Sequence, residues 1–194
     1  MLTLYDAPRC PFCARSRIVL AEKQIEYETV VVDLDARPDW IVELNPPDGR
    51  VPVLEGSDGL ILPESSVINR YLDERFLQPP LMPSDPFQRA CVELAIDRFN
   101  DRLGGSHYRV YFGDEPASER LEPALRAFDR ELEAHPYVVG SDYTLADIAY
   151  IPWILRTRAR IGIDVREYAG IRSWLERLER RPAIGAEIDV VASL

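Results

Sequence analysis

The sequence predicts an α/β first half joined to an all-α second half, and three observations carry that prediction. A short apolar strand leads through Cys10-Pro11-Phe12-Cys13 into a helix with one apolar face, and a second strand follows. Pro52 stands inside an apolar run that reads as half of a hairpin. The proline-dense stretch from Gln78 to Pro86 then separates mixed patterning from purely helical patterning. The expected division is residues 1–77, a linker over 78–86 and a helical domain over 87–194.

Taken in order, Leu2 to Tyr5 is the first strand. The helix from Pro11 to about Gln24 carries Ala14, Ile18 and Ala21 at helical spacing. Tyr27 to Val32 is rich in β-formers, so short links imply a right-handed parallel βαβ unit. Pro38 to Leu44 is a short helix opened by proline, and Asn45 to Arg50 is turn-rich. Val51 to Glu55 and Leu60 to Leu62 flank Gly56-Ser57-Asp58-Gly59 as a hairpin, and Ser65 to about Arg75 is a helix. The first half therefore runs βαβαββα. A cis bond before Pro52 would turn the Val51 main chain outward, where an extended peptide can pair with it.

In the second half, Phe87 to about Phe112 reads as one long helical run that Gly104-Gly105 kinks or interrupts. Pro116 to Ala134 is a second helix. Thr144-Leu145-Ala146-Asp147 is a capping box, with Asp in place of Glu, that opens a third helix to about Arg160. Gly170 to Arg180 is a fourth, and the tail from Pro182 is short helix or coil.

A net charge of −10 with no clustered basic surface argues against nucleic acid as a partner. No apolar stretch approaches membrane-spanning length and no basic segment precedes an apolar run at the N-terminus, so no membrane partner is expected and the cytoplasm is the expected compartment. Three cysteines, two of them in a Cys-x-x-Cys, fit a reducing compartment better than a disulfide framework.

That motif carries the chemistry. Pro11 at the first helical position places Cys10 at the N-cap. There a thiolate faces unpaired backbone N–H groups and the positive end of the helix dipole, which favour the ionised sulfur. Cys13 lies one turn on, on the same face, where it can resolve a mixed disulfide. The competing readings are half of a zinc site and two inert cysteines. Zinc requires about four ligands, and Cys91, His107 and His135 have no ligand spacing, so no metal is expected.

With these residues in order, the chain resembles the cytosolic glutathione transferase superfamily over essentially its whole length. Cys10-Pro11-Phe12-Cys13, Val51-Pro52-Val53-Leu54, Glu64-Ser65 and the Thr144–Asp147 box occur with the family's order and spacing. The first domain is most similar to the omega class, to which Asp35-Ala36-Arg37-Pro38-Asp39-Trp40 also fits, and to glutaredoxin-type transferases with Cys-Pro-x-Cys. Omega proteins usually carry Ala where Cys13 stands and are longer at both ends. The resemblance implies a thioredoxin-like first domain, an all-helical second domain, glutathione as co-substrate and a homodimer. It implies Cys10 as a catalytic residue, with Cys13 joined to it as the resolving thiol on its position in the helix alone, and Phe12, Arg37, Val51, Glu64 and Ser65 as the glutathione site. The bottom-up chemistry agrees, since Ser65 at a helix start suits a carboxylate and Glu64 suits an ammonium. Tyr5 is expected to be core or pocket wall, although other classes of the superfamily use a hydroxyl near that strand end.

A thiol transferase and reductase working through a mixed disulfide on Cys10 is the expected activity. The alternatives are conjugation, isomerisation or dehalogenation of a small electrophile, with Tyr108, Tyr111 or Trp153 in the second-substrate pocket, and a non-enzymatic interaction protein on the same scaffold, such as the starvation-response proteins that bind RNA polymerase.

Overall fold

A computed structural model of the chain describes residues 1–111, 113 and 116–194, with the side chain of residue 118 set aside. The chain divides into two compact units, Met1–Pro79 with Ser193–Leu194, and Pro80–Ala192.

The first unit is a four-stranded mixed sheet with three helices. Its elements are β1 (Leu2–Asp6), α1 (Pro11–Glu22), β2 (Tyr27–Val31), α2 (Asp39–Leu44), β3 (Val53–Glu55), β4 (Ile61–Pro63) and α3 (Ser65–Arg75). The strand order is β2-β1-β3-β4. β1 and β2 run parallel, with Asp6 opposite Val31, which is the arrangement a helical crossover allows. β3 runs antiparallel to both β1 and β4, with Val53 opposite Tyr5 and Pro63. β3 begins two residues later than the apolar run suggests. Pro52 has no N–H to give to a ladder, so Val51 and Pro52 remain outside the sheet. The Val51–Pro52 peptide is cis, as are Pro46–Pro47 and Gln78–Pro79.

Strand alternation divides the apolar side chains between the two faces. Tyr5, Val53 and Ile61 pack with Ile41 and Leu44 of α2, whereas Leu4 and Leu54, one step along each strand, are buried on the other face. α1 and α3 meet through a buried hydrogen bond of 3.0 Å from the Ser16 hydroxyl to Asn69. Lys23, the chain's single lysine, is buried at the end of α1. It is paired with Asp73 at 2.6 Å and donates to the carbonyls of Phe76 and Pro79, which fixes the end of α3.

The second unit is helical: α4 (Pro86–Asp97), α5 (Gly105–Tyr111), α6 (Ala117–Ala134), α7 (Leu145–Arg156), α8 (Ala169–Leu178) and α9 (Pro182–Ala192). The single run expected from Phe87 to Phe112 is instead two helices separated by a π-helical segment, Asn100–Gly104. The glycine pair explains the break: a Cβ on Gly104 would sit 2.2 Å from the Phe99 ring and one on Gly105 2.8 Å from the Asn100 carbonyl. Phe112, the expected end of that run, lies outside the described residues. α7 also ends before Arg160, passing into a second π-helical segment, Thr157–Ile161, that stops at Gly162 in the left-handed conformation. The tail from Pro182 is an 11-residue helix. Phe99, Phe128, Tyr150 and Trp174 form an aromatic core, with Phe99 and Phe128 each 5.0 Å from Tyr150. A buried Arg156–Glu187 pair at 2.8 Å ties α7 to α9.

Candidate functional site

The register of the sheet determines which loops meet. β1 and β2 finish side by side at Asp6 and Val31, and β3 starts and β4 finishes at that same end, where Val53 faces both Tyr5 and Pro63. The segments carrying Cys10, Arg37, Val51 and Glu64-Ser65 therefore all leave one end of one sheet. Residues 41 positions apart are brought into contact there.

Cys10 is the N-cap of α1, with extended backbone (φ −77°, ψ 118°) and Pro11 behind it. It is buried in a cluster with Ala7 and Cys13, against which Phe12, Leu34 and Val51 pack. Its thiol donates to the Val51 carbonyl at 3.8 Å. Cys13 is fully buried, and its thiol is pushed well above its ordinary value. Burial is the main cause. The hydrogen bond to Cys10 and the charge of Cys10 act next, then the charge of Asp6, while the Ala7 backbone works the other way. The proton therefore stays on Cys13 and is available to the sulfur of Cys10.

The remaining expected site residues occupy the same sheet end with different surroundings. Ser65 is the buried first residue of α3, and Glu64 before it is exposed with φ 69° and ψ 114°. Arg37 is exposed and donates to the Asp48 carbonyl at 3.0 Å, so its side chain reaches the turn-rich 45–50 segment. Of the expected site residues, the apolar cluster brings together Cys10, Cys13, Phe12 and Val51. Tyr5 is half-buried beside Trp40 and donates to Glu55 at 2.6 Å. That bond, then burial and the charge of Glu55, raise its hydroxyl above the ordinary value, so it is a sheet-face residue.

Other residues at this end escape a reading of the sequence. Arg17 pairs with the buried carboxylate of Asp6 at 2.5 Å and donates to the Pro8 carbonyl at 3.2 Å. Arg9 reaches Asp35 at 2.6 Å and lowers that carboxyl below its ordinary value, first through the hydrogen bond. The i, i+4 spacing of Cys13 and Arg17 is the one local signal that could have drawn attention to this bracing. Among the described residues, no three His, Cys, Asp or Glu side chains converge as a metal site.

Comparison with known proteins agrees with this fold. The model of the glutathione S-transferase N-terminal domain matches residues 4–80, and that of the glutathione S-transferase C-terminal domain matches residues 115–177. The chain is 36% identical over 188 residues to glutathione S-transferase omega-1 of Rattus norvegicus, covering 93% of this chain and 78% of the relative. It is 33% identical over 187 residues to the stringent starvation protein A homolog of Haemophilus influenzae, covering 93% of this chain and 87% of that protein. The crystal structure of glutathione transferase Omega 3C from Trametes versicolor superposes with a TM-score of 0.80 at 30% identity, covering 96% of this chain and 88% of the other. A thioredoxin-like unit with Cys10 at a helix start, followed along the chain by a helical unit and matched by both domain models, places this chain in the glutathione S-transferase family.

Proposed function

We propose that the protein is a glutathione-dependent thiol transferase in which Cys10 is the nucleophile. The observation that carries this reading is the buried pairing of Cys10 with Cys13 and with the Val51 carbonyl at the start of α1. The Cys10 thiolate attacks the glutathione sulfur of a mixed disulfide. A Cys10–glutathione bond forms, and the substrate leaves as a thiolate that takes a proton from water. A second glutathione thiolate then attacks the glutathione sulfur, releasing glutathione disulfide and restoring Cys10.

In this reading the Val51 main chain pairs with the cysteinyl part of glutathione and Phe12 packs beside the sulfur. Ser65 takes the γ-glutamyl carboxylate at the start of α3, and Glu64 takes the ammonium. Arg37 holds a second carboxylate once it leaves Asp48. A cytoplasmic homodimer is part of the same proposal, and light scattering on the purified protein tests the dimer. Among the described residues, no helix is long and apolar enough to cross a membrane. Conjugation of electrophiles should be slow, because a cysteine forms a disulfide with glutathione where a hydroxyl only polarises it.

The test is turnover on a glutathionylated peptide. Cys10→Ser should lose turnover at least a hundredfold, and equal rates in the two proteins would exclude the mechanism. Cys13→Ser should retain turnover if a second glutathione completes the cycle. The 33% identity to the stringent starvation protein A homolog favours a second reading, an interaction protein on the same scaffold. Failure to bind immobilised glutathione would support that reading over the enzyme.

A further inference from the structure

We propose that the Asp6–Arg17 ion pair decides how long glutathione stays on Cys10, with Asp6 holding Cys13 back from attacking the mixed disulfide and Arg17 partly releasing it. This rests on the mixed-disulfide reading above and assigns two positioning residues to it.

Three observations place the pair. Asp6 ends β1, immediately before the Ala7–Cys10 loop, and is only 3% exposed. Arg17 follows Cys13 by one helical turn on the same face of α1. From there its guanidinium reaches Asp6 at 2.5 Å and the Pro8 carbonyl at 3.2 Å. A buried carboxylate thus precedes the residue, Ala7, that packs on the fully buried Cys13, and the Arg17 guanidinium offsets its charge. On α1 Arg15 is also buried, with its guanidinium over the Phe12 ring at 4.9 Å. The loop after β2 contributes Leu34, while its Asp35 is taken up by Arg9. Val51 contributes an apolar side chain and a carbonyl, and α3 faces α1 with the neutral Asn69 bonded to Ser16.

The step in question moves one disulfide and leaves the oxidation level unchanged. Cys13 gives its proton to water, its thiolate attacks the Cys10 sulfur, the Cys10–glutathione bond breaks, and the glutathione thiolate leaves and is protonated. Only the ionised Cys13 attacks. The negative charge of Asp6 opposes that ionisation, consistent with its part in raising the Cys13 thiol. Arg17, held against Asp6, offsets that charge. An ion pair that served only to brace the loop would respond alike to loss of either partner. An electrostatic control responds in opposite directions.

The experiment mixes reduced protein with glutathione disulfide and follows the Cys10 adduct by intact mass, between pH 6 and 9, as it passes to the Cys10–Cys13 disulfide. Each tenfold gain in thiolate costs about threefold in nucleophilicity, so the net change is about threefold for that gain. Asp6→Asn should shorten the life of the adduct about threefold at pH 7 and move its pH profile to lower pH. Arg17→Gln should lengthen it by a similar factor, and Arg17→Lys should stay near wild type. The same variants carrying Cys13→Ser report the formation rate at Cys10 alone. Changes in the same direction for Asp6→Asn and Arg17→Gln, or no change, overturn the inference. Asp6→Asn keeps the size of the side chain and an acceptor for Arg17. Its pH profile therefore decides the matter alone if Arg17→Gln does not fold, an unshifted profile counting against the inference. If wild type and Cys13→Ser form no adduct, the mixed-disulfide reading itself fails and this inference with it.

Discussion

Glu64 precedes α3 with φ 69° and ψ 114°, backbone that a side chain rarely adopts and that costs on the order of 1–3 kcal/mol for a residue with a Cβ. Glycine at this position would remove the steric cost but give the unfolded chain more freedom, worth about 0.5–1 kcal/mol in the other direction. Glu64→Gly is therefore expected to raise the thermal midpoint by a few degrees relative to Glu64→Ala, while both lose affinity for glutathione with the carboxylate. Calorimetry with and without glutathione measures both effects, and equal midpoints for Gly and Ala would show that the backbone there is unstrained. The sequence marks Glu64-Ser65 as a helix start and as a pair that suits an amino acid. It gives no sign of the left-handed backbone, because that conformation announces itself locally through glycine or asparagine and here it is held by the β4–α3 junction. Arg37 shows the same limit. Its charge is visible in the sequence, but its bond to the Asp48 carbonyl depends on how a loop returns.

At the scale of elements, the motif most legible in advance is the start of α7. The Thr144 hydroxyl accepts from the Ala146 N–H at 3.2 Å, and the Asp147 carboxylate accepts from the Thr144 N–H at 2.9 Å, the reciprocal box that Thr-x-x-Asp spells. What the spacing does not spell is that the same fully buried carboxylate also accepts from the Val138 N–H at 3.0 Å and from the Trp174 indole at 2.8 Å. Those partners come from the loop before α7 and from α8. The cap therefore also joins elements, and burial nonetheless raises its carboxyl above the ordinary value despite these hydrogen bonds. Thr144→Ala should cost about 1 kcal/mol, the usual loss of a cap. Asp147→Ala leaves three donors without this acceptor, two of them buried, and should cost about 3 kcal/mol or more. Urea unfolding of the two variants checks the order, and equal losses would reduce Asp147 to an ordinary helix cap. The break between α4 and α5 is legible in a different way. Gly104-Gly105 signals an interruption, but its π-helical form follows from the Phe99 ring lying against the backbone, a contact fixed by packing.

For the whole molecule, composition indicates an acidic globular chain with one change of character at its proline-dense segment, and the sheet order collects the loops that carry Cys10, Arg37, Val51 and Glu64-Ser65 without any single residue revealing it. Composition does not show that the helical unit carries a built-in acid sensitivity. His107 on α5 is 3% exposed, lies edge-on to Trp153 at 5.0 Å and stacks on Tyr111 at 6.3 Å. Neither of its ring nitrogens has a hydrogen-bond partner among the described residues. Burial, with the charge of Arg156, lowers its pKa from 6.5 to about 4. The unfolded chain takes up this proton near pH 6.5, whereas the folded unit resists it until about pH 4. Unfolding is therefore accompanied by proton uptake in that window, and stability falls as the pH is lowered through it, by about 3 kcal/mol in all. Asp147 acts with the opposite sign, since a carboxyl raised on folding gains stability as the pH falls toward its unfolded value, and the many surface carboxylates add their own trend. The difference between wild type and His107→Leu cancels those common contributions. It should be constant above pH 7, then change steadily between pH 6.5 and 4 as wild type alone loses stability. Of the three tryptophans, Trp153 and Trp174 belong to the helical unit and Trp40 to the first, so their fluorescence during urea unfolding at each pH weights the readout toward the unit that holds His107. A difference that stays flat down to pH 4 would mean that His107 is hydrogen-bonded or solvated in solution and titrates at its ordinary value.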